Sequence, residues 1–335
     1  MPGIPISIES GLNNTCFGDI QGPLAMLIQQ EYDRFQDSEF TQWDKIFKPF
    51  NLETHTAAIT TTGAIGLFED VGENGAYPVS DMRDGFTKTL KAEEWKNSFG
   101  ISQTMMEDKL DFVLRDQSKQ LVASYYRTKN AFFWGLFGAA LQNSDYVTPK
   151  KNKISVKAKD SVNLFSQSHK MANSGGSLCN AFSDAFSAAA LGKLAAKMQN
   201  MKDDNGEILG LVPDTIIIPN IEAAKSDVFG VIGAHNDPTT AAGNKYNYQF
   251  GNWTVIVSPW LVPYQPTNGY TWTLMDSHYN EDARGALAVE RIPLGITSKL
   301  AENDVNMWKG RCRFSGAFNE FRAFASGGLS FGATL

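Results

Sequence analysis

Residues 102–142 read SQTMMEDKLDFVLRDQSKQLVASYYRTKNAFFWGLFGAALQ. Met106, Leu110, Val113, Leu121, Tyr125, Phe132, Leu136 and Ala140 follow a helical period, with Gln117 and Thr128 as its two polar steps. Ser102 or Thr104 supplies a side-chain oxygen for the N-cap. A single helix from 104 to 142 would measure about 58 Å at 1.5 Å per residue, more than the width of an ordinary compact domain. It begins amphipathic and ends apolar on every side at AFFWGLFGAAL (131–141), so its last turns must be covered all round. Eleven apolar residues fall short of the roughly 20 that span a bilayer, which makes this end a buried helix segment.

Upstream, THTAAITTTGAIGLF (54–68) is rich in Thr and Ile and reads as extended chain. From Phe86 to Ile101 the pattern alternates at first, placing Phe86, Leu90 and Ala92 on one face and Thr87, Thr89 and Lys91 on the other. Between them lies EDVGENGAYPVSDMRDG, full of turn residues and poor in large aliphatics. Structureless loops this long are uncommon unless functional or disordered. A lone two-stranded excursion is marginal in water, so it needs a surface to lie on, another subunit's being one possibility. Farther upstream, Leu24, Leu27, Ile28, Tyr32 and Phe35 predict an amphipathic helix over 19–37, behind an 18-residue arm.

Downstream, YVTPKKNKISVKAKD carries five lysines in ten residues, Lys150, Lys151, Lys153, Lys157 and Lys159, which reads first as a solvated strand face. Without interleaved aromatics or arginine it is a weak nucleic-acid signal. A second helix is predicted over 180–201 with the stop DDNG, then a buried strand at Thr215–Ile218 and a helix from Pro219-Asn220 to Val231. Strands follow at 253–258, 271–275, 286–292 and 305–325. Helices first and strands later, without βαβ alternation, indicate α+β.

The chain has 335 residues, 42% hydrophobic and 20% charged, so it folds around a substantial core. Its net charge of −6 argues against a protein that coats DNA. The charge is unevenly spread, with 15 acidic and 7 basic residues in 1–100 against 6 and 11 in 101–170. Cys16, Cys179 and Cys312 form neither a disulfide framework nor a metal motif, and the N-terminal residues show no secretory signal.

No catalytic signature is present, and the histidines His55, His169, His235 and His278 are isolated. His169 and Cys179 can be drawn as a dyad, although a satisfied structural histidine is the simpler reading. Asp203-Asp204-Asn205-Gly206-Glu207 lacks calcium-loop spacing and reads as a helix-ending turn. Glu93 and Glu94 point to opposite strand faces and so do not share a substrate. The stripe Phe132-Phe133-Trp134-Phe137 reads as core, not as a cofactor pocket. No catalytic, metal or cofactor site is therefore assigned.

The order of arm, helix, extended loop, long helix, Lys-rich stretch and α+β region resembles a tailed-phage major capsid protein of the HK97-type fold, specifically the major head protein of Mu-like phages and prophages. The residues that carry the resemblance are Glu73-Asn-Gly-Ala-Tyr77, Asn97-Ser-Phe-Gly-Ile-Ser102, Asn163-Leu-Phe-Ser-Gln-Ser-His169 and Asp214-Thr-Ile-Ile-Ile-Pro219. The family's Asp-Gly before Leu-Phe is replaced here by Asp160-Ser-Val-Asn163.

The resemblance implies an N-terminal arm and helix (1–40), an E-loop region (41–103), a spine helix with the start of a peripheral domain (104–165), an axial domain (166–265), and peripheral return strands with the C-terminus (266–335). It implies hexamers and pentamers of an icosahedral or prolate shell around double-stranded DNA, in a virion assembled in the host bacterial cytoplasm. It also implies a portal, a possible decoration protein and, because the numbering starts at Met1, a separate scaffolding protein. No membrane partner, cofactor or catalysis is expected. Candidate interface residues are Glu69, Asp70, Glu73, Tyr77, Asp81, Arg83 and Asp84 on the loop, facing Lys150, Lys151, Lys153, Lys157 and Lys159 of a neighbour. An encapsulin-like nanocompartment shell is the nearest alternative, and a soluble Cys/His hydrolase a remote one.

Overall fold

The computed structural model describes residues 4–10, 12, 16–36, 42–62, 67–68, 70–73, 75–77, 79, 84–108, 111–172, 175–233, 247–301 and 303–335. In chain order the elements are β1 (Ile6–Ile8), α1 (Gly18–Gln36), β2 (Lys48–Asn51), β3 (Thr56–Thr62), β4 (Asp84–Lys91), β5 (Glu93–Ser102), α2 (Gln103–Glu107) and α3 (Asp111–Leu141). The short strands β6 (Tyr146–Val147), β7 (Lys153–Ile154), β8 (His169–Lys170) and β9 (Ser177–Leu178) follow. Then come α4 (Ala188–Gln199), β10 (Thr215–Pro219), α5 (Glu222–Ile232), β11 (Thr254–Ser258), β12 (Trp272–Met275), α6 (Ser277–Asp282), β13 (Ala286–Leu300), β14 (Val305–Phe318) and β15 (Phe324–Gly327).

Two sheets organise the chain. The larger runs β1-β13-β14-β5, with β2 also on β13, and α3 and α1 cover one of its faces. Phe132, Phe133, Leu136 and Phe137 of α3 pack with Ile296, Trp308, Phe314 and Phe318 of the long β13–β14 hairpin, which is the burial that the apolar end of the helix requires. The second sheet runs β11-β10-β12-β15, antiparallel except for the parallel β10–β11 pair, and packs against α4 and α5. All five residues of β10 are buried, matching the apolar run Ile216-Ile217-Ile218. Strands 272–275 and 324–327 hydrogen-bond into this second sheet, so residues 266–335 are shared between the two sheets, only β13 and β14 of that stretch belonging to the larger one.

Several sequence expectations are modified. The long helix is interrupted: Ser102 caps α2, its side chain accepting from the Met105 N–H at 3.3 Å, and Asp108 closes it before α3 starts at Asp111. The 31 residues of α3 span about 46 Å. The arm is not outside the core, because Ile4 and Phe17 are buried and β1 adds a parallel strand to β13. The helix predicted from 180 begins at 188, capped by Ser187. Residues 181 and 182 instead bridge to Ser326 and Ala333, and the Asn180 side chain serves as a crosslink. The strand predicted over 305–325 is two strands, one in each sheet.

Candidate assembly interface

β3 and β4 form a two-stranded antiparallel ribbon in register from Thr56↔Lys91 to Thr60↔Thr87, with an irregularity before Thr62↔Asp84. Among the described residues its hydrophobic packing lies at the base, where Leu90, Ala92 and Leu52 pack with Leu287, Val289 and Ala317. Toward the tip the large side chains face solvent: Phe68 is fully exposed, Tyr77 is 95% exposed and Val79 is 91% exposed. Asp70 and Glu73 are exposed on the same stretch, and Asp70 accepts the Gly72 N–H at 3.3 Å. Glu69, Asp81 and Arg83 lie outside the described residues, as does the side chain of Asp84.

Lys150, Lys151, Lys153 and Lys157 are exposed on and beside the β6–β7 hairpin. The ribbon's base crosses this region, and Lys88 donates to the Lys157 carbonyl at 2.7 Å. Burial and the neighbouring Lys157 charge push the Lys88 ammonium below its ordinary value.

Lys159 corrects the expectation. It is only 6% exposed and pairs with Glu320 and, at 3.8 Å, with Asp204. Arg322 joins both carboxylates, bonding Asp204 at 2.7 Å and Glu320 at 3.0 Å, and donates to the Lys202 carbonyl at 3.0 Å. Two buried cations thus meet two buried anions where the segment after α3, the turn after α4 and the β14–β15 connection converge. Burial alone would raise the Asp204 carboxyl, but the Arg322 and Lys159 charges outweigh it and hold the group below its usual value.

His169 belongs to the same junction. It is fully buried and stacked on Phe321 at 3.7 Å; Nδ1 lies 2.7 Å from Asp160, and Nε2 faces the Leu164 carbonyl and Asn180 Oδ1 at 3.2 and 3.1 Å. Cys179 Sγ donates elsewhere, to the Ala181 carbonyl. Both ring nitrogens are engaged by structural partners, which is the arrangement of a packed crosslink and not of a general base beside a nucleophile. Asp203 accepts the N–H groups of Asn205 and Glu207 at 2.9 Å each, forming the turn read from sequence. Among the described residues no group of three or more His, Cys, Asp or Glu is arranged to hold a metal ion.

The outward face of the larger sheet was not singled out from sequence. β14 alternates exposed Lys309 and Arg311 with buried Trp308, Gly310 and Cys312, and Arg311 bonds Glu94 of β5 at 2.6 Å. The alternation of Lys309, Arg311 and Arg313 was its signal, but without the register it did not reveal which neighbouring charges share that face.

The sequence profile of the phage capsid protein family matches residues 85–326. That interval runs from β4 through α3 to β15 and includes most of both sheets. A search of curated protein sequences returned no match. Among solved structures, the capsid of Ralstonia phage GP4 superposes with a TM-score of 0.53 at 11% identity, covering 84% of this chain and 85% of that one. The holo-SrpI encapsulin complex from Synechococcus elongatus gives a TM-score of 0.50 at 10% identity, covering 87% of each chain. At such identities the likeness concerns the fold, an HK97-like α+β architecture. Membership rests on the family match across most of the chain: this chain belongs to the phage capsid protein family and is a major capsid protein.

Proposed function

We propose that the protein is the major head protein of a phage or prophage close to the Mu-like group, and that its copies form hexamers and pentamers of a closed shell around double-stranded DNA. The observation that carries this reading is the family match over 85–326 combined with a ribbon that exposes Phe68, Tyr77 and Val79 to solvent. Exposed large apolar side chains on a two-stranded ribbon with no core of its own fit a segment whose ordering free energy comes from a neighbouring copy. In this reading the ribbon is the E-loop within 41–103, α3 is the spine helix, and β13–β14 with β5 form the peripheral sheet. The β10 sheet with α4 and α5 is the axial domain, extended beyond 166–265 to take in 272–275 and 324–327. Head-to-tail contacts between identical tiles close into rings. A separate scaffolding protein and a portal complete the particle, which assembles in the host bacterial cytoplasm. The chain contributes structure and not catalysis.

The encapsulin fold likeness sustains a second reading, a shell that houses protein cargo. Negative-stain imaging of purified particles, with mass spectrometry and nucleic-acid assay of their contents, separates the two. Closed icosahedral or prolate particles that hold or accept DNA are expected. A defined protein cargo in place of DNA supports the nanocompartment, and a stable monomer at high concentration with a protease-resistant 63–83 segment contradicts both.

A further inference from the structure

A cavity of about 120 Å³ lies between α3 and the larger sheet, away from the ribbon and from the buried ion network. It is lined by Leu121 and Tyr125 of α3, Leu294 of β13, and Cys312 and Phe314 of β14, all of them buried, together with Trp95 of β5. Lys96 and Asn97 are the exposed part of its lining, so it opens to solvent at β5, an edge strand of the sheet. The walls are pinned. Trp95 Nε1 donates to the Phe314 carbonyl at 3.2 Å, and the two rings stack with centroids 5.2 Å apart. Asn97 Nδ2 donates to Ser124 Oγ at 2.9 Å, which ties strand to helix beside the opening. A room held open in this way is preformed, so filling it requires little reordering of the chain.

The polar groups around the cavity are already engaged. Ser124 Oγ donates to the Leu121 carbonyl at 2.9 Å, Thr128 Oγ1 donates to the Ser124 carbonyl at 2.7 Å, and Asn97 Oδ1 accepts the Ser98 N–H at 2.9 Å. Lys96 is drawn to Glu94 at 3.1 Å. Burial pushes the Cys312 thiol up to about 12, so it stays protonated and neutral. Among the described residues the Tyr125 hydroxyl is the one polar lining group left without a hydrogen bond. A buried water needs two to four polar partners, whereas an apolar cavity of about 150 Å³ stays dry and takes up benzene. Gly310 supplies the room. Its φ is not positive, so the backbone there does not demand glycine. A Cβ built on it would meet Leu294 Cδ1 at 3.5 Å, the Asn97 carbonyl oxygen at 3.6 Å and Leu121 Cδ1 at 3.8 Å, all ordinary contacts.

We propose that this cavity is a binding site for one small, neutral, apolar ring of about the size of benzene, held between Trp95 and Phe314 on the sheet and Leu121 and Tyr125 on α3. The aromatic walls offer edge-to-face and offset-stacked contacts, and the lining presents no unpaired charge that would call for a charged ligand. Such a ligand binds the folded chain and not the unfolded one, so it strengthens the packing of α3 on β5 and β14 by mass action. The site lies within a single copy and does not depend on the assembly reading.

The test is a fluorine NMR titration of the purified full chain with fluorobenzene. Saturable binding is expected, with a Kd on the order of 1 mM. Gly310→Val fills the room with its side chain and is expected to weaken binding about tenfold or more. Gly310→Ala adds a single methyl group in ordinary contact; it is expected to weaken binding about threefold and to leave the melting temperature no lower than that of the parent chain. Circular dichroism checks that each variant folds, and the alanine variant decides the matter if the valine variant does not. Fluoronaphthalene, with two fused rings, is too large for the cavity and is expected to show no saturable binding. Non-specific association with exposed apolar side chains would instead favour it over the smaller ring, because it carries more apolar surface. The site is overturned if fluorobenzene shows no saturable binding, if the folded Gly310 variants bind it as tightly as the parent, or if fluoronaphthalene binds the parent more tightly than fluorobenzene does.

Discussion

Arg322 stands between Glu320 and Asp204 with almost no exposure, and its Nε, Nη1 and Nη2 groups all have acceptors. A buried ion network of this kind is weak evidence of net stabilisation, yet removing one member leaves an uncompensated charge, which costs about 3–5 kcal/mol. Arg322→Ala is therefore expected to lower unfolding stability by about that amount in urea titrations of unassembled protein. The lowered Asp204 carboxyl gives the network a pH dependence. A group whose folded value is depressed contributes stability that is fully present above its unfolded value near 3.8 and is lost as pH falls through the folded value. Thermal melts at decreasing pH are expected to show an acid loss of stability, and that loss is expected to shrink in Asp204→Asn, which has less to lose. Sequence reading placed Lys159 on an exposed basic face because five lysines in ten residues look solvated. Its partners Asp204 and Glu320 are distant in sequence, and no local pattern announces them.

At the scale of elements, α3 decides the architecture, and its period and apolar end were legible because burial on every side leaves a strong compositional trace. Its N-terminal interruption was not: Ser102 satisfies the cap rule, but the stop at Asp108 is a short-range geometric event inside an unbroken periodic pattern. The C-terminal half packs closely on the 3-10 helix Pro259–Tyr264. A Cβ built on Gly138 would sit 2.4 Å from the Tyr264 ring. Helix propensity favours alanine over glycine by about 1 kcal/mol, but overpacking costs about 1–3 kcal/mol, and the clash extends down the Tyr264 side chain to its Cβ at 3.0 Å. Gly138→Ala is thus expected to lower the melting temperature, where the same change at a free helix surface would raise it. The ribbon was legible as an excursion without a core, and its strands fall where the Thr/Ile and alternating segments put them. The assignment of 272–275 and 324–327 to the second sheet was not legible, because a short buried strand carries no mark of which sheet it joins.

For the whole molecule, charge separates onto different surfaces: acidic residues on an apolar-tipped ribbon and, on the outer face of the larger sheet, Lys96, Lys299, Lys309 and Arg311, none of which comes from the basic 101–170 stretch. Exposed ion pairs contribute only about 0–1 kcal/mol each, so the ribbon's contact with a neighbour depends on apolar burial for affinity and on charge for orientation. Limited proteolysis is expected to cleave the 63–83 segment rapidly in unassembled protein and slowly in shells, since docking on a neighbour would cover it. Equal cleavage rates in both states would separate the ribbon from assembly. The central claim is that the chain is a tile completed by its neighbours, and cryo-electron microscopy of purified particles tests it most directly. The account predicts closed shells of hexamers and pentamers in which the 63–83 segment of each copy is covered by a neighbouring copy. A population of monomers, or shells whose ribbons fold back on their own chains, would contradict it.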